Sequence, residues 1–163
     1  MALLLEHGAQ VDLPEKSTAT ATATAPLLIS AQEGYTAVIR LLLEHGAQID
    51  SRDNHGASAL FWASQMNHPE AVALLLGKGA QVDFAAKTGD TALGIAAFQG
   101  HLACVRLLLQ AGADPLHRTN VGHTPLSNAL GSKHRKVVAL LLARIVELER
   151  EQAALQRTTL TGP

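Results

Sequence analysis

Histidine is the side chain best suited to metal ligation or proton transfer near neutral pH, and the chain carries eight. A catalytic zinc site needs three ligands at defined spacing, such as the two histidines of HExxH on one helical face. No such set occurs: His7 and His45 belong to a recurring EHGA block, His101 follows a glycine at a turn, and the rest are dispersed. Cys104 stands beside Val105 in an apolar stretch, the setting of a buried small residue; a nucleophilic thiolate needs a basic, partly open one. GxSxG, a glycine loop ending in GK[ST] and a dinucleotide fingerprint are all missing from the sequence, and caps and turns account for its glycines. The residues therefore point to a non-enzymatic protein with no catalytic residue, cofactor or metal.

Composition narrows the partners. Thirteen Lys plus Arg oppose 14 Asp plus Glu, giving a net charge of −1, so no excess of positive charge is available to neutralise phosphates. Nucleic acid is not an expected partner. Apolar runs such as residues 71–76 and 137–143 fall far short of the ~20 needed to span a bilayer, so no membrane insertion is expected. The start, MALLLEHGAQVD, lacks the basic region and long apolar core of a secretory signal. One cysteine permits no internal disulfide framework. These features fit a soluble protein of the cytoplasm or nucleus. With 47% apolar but only 3% aromatic residues, the chain has the composition of packed helices.

What positions the side chains is a repeat. Triple leucines at residues 41–43, 74–76, 107–109 and 140–142 are spaced by 33 residues, and a further copy opens the chain at Leu3. Pro26, Ser58, Thr91, Thr124 and Pro125 mark helix starts at the same offset: the hydroxyls suit N-caps, and proline suits the first helical position. The first helix of each unit ends near Gly34, Asn67, Gly100 or Lys133; the second runs through the leucines, in the first three units towards Gly46, Gly79 or Gly112. Polar, turn-rich stretches such as residues 48–56 and 81–89 suit hairpin-like connections. One unit cannot bury its leucines alone, whereas stacked units can.

The TPLxxA box at residues 124–129, its TALxxAA form at 91–97, the Gly100-His101 pair and the recurring LLLxxGA block resemble the ankyrin repeat. The resemblance implies an all-α repeat solenoid of helix-turn-helix units joined by β-hairpins or loops. Its expected divisions are a partial repeat at 1–12, a hairpin or loop with a Thr-Ala insertion at 13–24, repeats at 25–50, 51–83, 84–116 and 117–142, and an extended C-terminal capping helix with a disordered tail at 143–163. Residues 18–25 read TATATATA and suit a polar loop. Asn67-His68 and Lys133-His134 replace the usual Gly-His pair, so irregular turns are expected there. Without a glycine stop after residue 142, the last helix should reach about Gln156, with an apolar stripe through Leu141, Ile145, Leu148, Gln152 and Leu155. That stripe serves either as a cap packed on repeat 4 or as a docking helix.

The resemblance also implies a concave side, formed by hairpin tips and first helices, on which protein partners dock. By register its positions are Asn54, His55, Ala57, Gln65 and Met66 in repeat 2, and Lys87, Thr88, Asp90, Phe98 and Gln99 in repeat 3. Repeat 4 offers Asn120, Val121, His123, Gly131 and Ser132, and repeat 1 offers Gln32 and Glu33. Met66, Phe98 and Val121 are apolar where a solvated face favours charge, although Phe98 could instead fold onto its own helix pair. The leading expectation is a protein-interaction scaffold or adaptor. The alternatives are a self-assembling structural module that uses its terminal elements, and the substrate-recognition part of a larger enzyme complex such as a ubiquitin ligase.

Overall fold

A computed structural model describes residues 26–160, with side chains through residue 157. The expected partial repeat, the Thr-Ala insertion and the last three residues of the tail lie outside the described residues. Within them are four helix pairs: α1 (Pro26–Gln32) with α2 (Thr36–Glu44), α3 (Ala59–Gln65) with α4 (Pro69–Gly77), α5 (Ala92–Gln99) with α6 (Leu102–Gln110), and α7 (Pro125–Gly131) with α8 (Arg135–Leu160).

Local chemistry fixes where these helices begin. Ser58, Thr91 and Thr124 are extended N-cap residues whose hydroxyls accept the amides of Phe61, Gly94 and Ser127. Ser127 also returns its hydroxyl to the Thr124 amide at 2.8 Å, completing a capping box that satisfies two otherwise orphaned donors. Pro69 opens α4, where its missing N–H leaves no bond unmade. The turns inside the pairs are alike despite their sequences: Gly34 and Gly100 take positive φ of 74° and 80°, and Asn67 and Lys133 follow at 60° and 62°. The expected irregularity is therefore one of residue type rather than of shape. Asparagine tolerates the left-handed region well; lysine has no such advantage.

The first helices α1, α3, α5 and α7 pack in sequence as one layer, and α2, α4, α6 and α8 form a second. Ala31, Ala63, Ala96, Ala97 and Ala129 are fully buried in the first layer, and side chains this small let helices approach closely. Between the layers lie the middle leucines of the repeated triplets, Leu42, Leu75, Leu108 and Leu141, all buried. The connections contain no strand among the described residues; their one β-bridge joins Arg52 and Ser58. The loop form of the expected hairpin-or-loop connection is the one present. Along the predicted stripe of α8, Leu141 is buried, Ile145 and Leu148 are half-buried, and Leu155 is 67% exposed. The reason is geometric: α6 stops at Gln110, before the left-handed Gly112, while α8 continues and has no partner helix of equal length.

Candidate functional site

Two rows of side chains coincide with the positions expected to meet a partner, and bonds between successive repeats hold each row. The first row is the ends of the first helices. His68 Nε2 donates to the Gln32 carbonyl, His101 Nε2 to that of Gln65 and His134 Nε2 to that of Phe98, each at 3.0 Å. A carbonyl only accepts, so Nε2 carries the proton in all three. The three anchored residues, Gln32, Gln65 and Phe98, are themselves expected contact positions. The rings pack closely against the left-handed turns: a Cβ added to Gly34 would lie 2.5 Å from the His68 ring, and one on Gly100 would strike His134.

The second row is the loop tips. The Lys87 amide donates to the His55 carbonyl at 2.8 Å, the Asn120 amide to the Thr88 carbonyl at 3.1 Å, and the Asn120 side-chain amide to the Lys87 carbonyl at 2.7 Å. Below the tips, the Gln81 amide donates to Asp50 and the Asp114 amide to Asp83, so the tail aspartates are spent on holding the next unit. Arg52 stacks over the Phe84 ring at 3.5 Å, and His117 Nε2 reaches the Gly89 carbonyl at 2.9 Å. At Gly89 an added Cβ would meet the Asn120 backbone nitrogen at 2.6 Å, so this tip requires glycine for space as well as for its φ of 85°.

The expected contact residues divide by exposure. Asn54, His55, Met66, Lys87, Thr88, Phe98, Gln99, Asn120, Val121 and His123 are exposed, whereas Gln65 and Asp90 are half-buried. Asp90 also accepts the Thr88 hydroxyl at 2.7 Å, which occupies part of both side chains internally. Among the other register positions, Glu33 and Gly131 are exposed and Gln32 and Ser132 half-buried. Ala57 must be corrected: it is buried, with its amide on the Asp53 carboxylate and its carbonyl taking the Asp53 amide, so it shapes the loop and presents no contact surface. Phe98, for which two fates were open, is 50% exposed; Met66 is 39% and Val121 77% exposed.

Sequence reasoning missed the residues that position this surface. Buried Asp53 accepts the amides of His55 and Ala57 and, at 3.0 Å, the indole N–H of Trp62, tying the repeat 2 tip to α3. One repeat later the aspartate is replaced by Ala86 and the tip is braced by Thr88 and Asp90; after another it is Thr119, whose hydroxyl accepts the His123 amide. The 33-residue spacing of His68, His101 and His134 was the available signal for the histidine bonds. Cys104 is buried, and desolvation, followed by the Glu70 charge, pushes its pKa from 9.0 up to about 11, so it stays a neutral thiol at physiological pH. Among the described residues, no three His, Cys, Asp or Glu side chains gather as a metal-ligand group, and no helix is long and apolar enough to cross a membrane.

No curated protein gives a match to the chain. The family model for ankyrin repeats (3 copies) matches residues 1–86 and again 79–152, so between them the two matches span nearly the whole sequence. Repeats of this kind generally mediate protein–protein interaction and are typically non-enzymatic. A 33-residue period, four stacked helix pairs and this match together place the chain in the ankyrin-repeat family.

Proposed function

We propose that the protein is a non-enzymatic adaptor that holds a partner protein or peptide on the concave side of the array, against the loop tips and first-helix ends of repeats 2 to 4. The observation carrying this reading is that Met66, Phe98 and Val121 stand exposed on rows whose backbone is fixed by bonds between repeats. Apolar side chains held in place before binding lose little conformational freedom in a complex, which is how a small number of anchors can carry most of an interface. Charge contributes little here: Lys87 is the one cation among the exposed contact positions, and Asp90 is engaged by Thr88. The complex should consequently survive moderate salt. A reducing cytoplasmic or nuclear setting suits a chain whose single cysteine is a buried thiol.

Affinity capture from cell lysate tests the reading, comparing the intact chain with a folded variant carrying Phe98→Glu and Met66→Glu and identifying the retained proteins by mass spectrometry. The adaptor reading expects specific proteins that the variant loses. Equal retention by both would remove the site from these rows.

A further inference from the structure

The array's C-terminal end carries an apolar groove of about 370 Å³ between α7 and α8, lined by Leu130, Val138, Ala139 and Leu142, with Lys133 and Arg135 at its rim. Leu130 occupies the position held by Ala31, Ser64 and Ala97 in the earlier units, where each is fully buried under the following repeat; here it is 56% exposed. The groove is thus a stacking surface without a described neighbour, and the pattern along α8 indicates what fits it.

Arg135, Val138, Leu142, Val146 and Glu149 follow one another at 3, 4, 4 and 3 residues. On a helix of 3.6 residues per turn they lie within about 40° of the Leu142 direction, so they form one stripe. Arg135, Leu142, Val146 and Glu149 are exposed and Val138 is half-buried. The stripe is symmetric in spacing about Leu142, with apolar residues on either side of it and opposite charges at its two ends. Neither end is neutralised internally, because among the described residues the ion pairs are those of Arg144 with Glu147 and Glu151.

The geometry points to a second copy of this chain as the occupant, its α8 lying antiparallel in the groove about a two-fold axis at Leu142. Leu142 then meets Leu142, Val138 meets Val146, and Arg135 meets Glu149 at both ends, with Leu130 widening the apolar contact. A parallel arrangement would set Arg135 against Arg135 and Glu149 against Glu149, which disfavours it relative to the antiparallel one. The expected contact positions of repeats 2 and 3 lie outside this surface, which adjoins only Gly131 and Ser132 of repeat 4.

Sedimentation equilibrium of the full chain over a concentration series is the test. The mass should rise from 17.1 kDa towards twice that value. Arg135→Glu or Glu149→Arg alone should weaken association by about tenfold or more, since each creates two like-charge meetings. Combining them restores opposite charges at both ends and should restore association. Circular dichroism checks that the variants are folded, and Leu142→Ala provides a second reading free of charge effects, expected to weaken the dimer. A monomer at every concentration, a dimer indifferent to the single reversals, or a double exchange that fails to recover would each overturn the inference.

Discussion

Ala31, Ser64, Ala97 and Leu130 are one position in four successive units, yet the first three are sealed and the fourth stands half in water. The difference comes from what stacks on each unit, because the position lies at the same register of the first helix in all four. The contrast extends to the hydrogen bonds. The junctions between repeats are crossed by histidine-to-carbonyl, amide-to-aspartate and tip-to-tip bonds, whereas the groove beyond α7 has an apolar floor and unpaired rim charges. Stability in a stacked array belongs to its interfaces, so the interior junctions and the end face should respond differently to equivalent changes.

The largest contrast is between two leucines of the repeated triplets. Leu108→Ala removes a fully buried side chain and should cost about 2–5 kcal/mol in urea unfolding. Leu142→Ala, at the exposed end face, should change monomer stability by about 0.5 kcal/mol or less. Equal costs would mean that the end face is buried in solution. Next is Asp53→Ala, which strands the Trp62 indole N–H and two tip amides and should cost about 1–3 kcal/mol. Trp62 is the sole tryptophan, so its fluorescence reports the loss directly. Unchanged emission and stability would show that the tip does not rely on the carboxylate.

A gain of about 1 kcal/mol is expected for Ser64→Ala, because the Ser64 hydroxyl is buried with no hydrogen-bond partner and the neighbouring units already place alanine there. The corresponding thermal scan should show a higher Tm; a lower one would reveal a partner for the hydroxyl. The smallest effect is expected for Lys133→Gly, which relieves a lysine held at φ 62° and should add about 0.5–1 kcal/mol. If denaturant titration finds a loss instead, the lysine side chain supports the turn more than its backbone strains it.

Much of the architecture was legible because each decisive signal recurs at 33 residues: the buried middle leucines, the hydroxyl N-caps and the TPLxxA-type helix starts. The turns at Asn67 and Lys133 were less legible, since the usual glycine is absent from them although both residues take the left-handed φ that the turn requires. Individual braces were not legible at all. The position held by Asp53 passes to Ala86 and then to Thr119, and each substitution finds a different local solution that a repeat pattern averages away. Ala57 was misread for a related reason: register marks a position as variable without showing that its loop folds over it. Leu130 has the opposite difficulty, being apolar and in the register of buried residues but lacking a described unit to cover it.

The central claim is that a partner meets the loop tips and first-helix ends. Hydrogen exchange on the complex with a captured partner, compared with the free chain at the same concentration, tests it most directly. The account predicts new protection at the tips 54–56, 87–90 and 120–123 and at the helix ends around Met66 and Phe98, with residues 135–149 unchanged. Protection confined to residues 135–149 would contradict it, placing the partner on the end face instead.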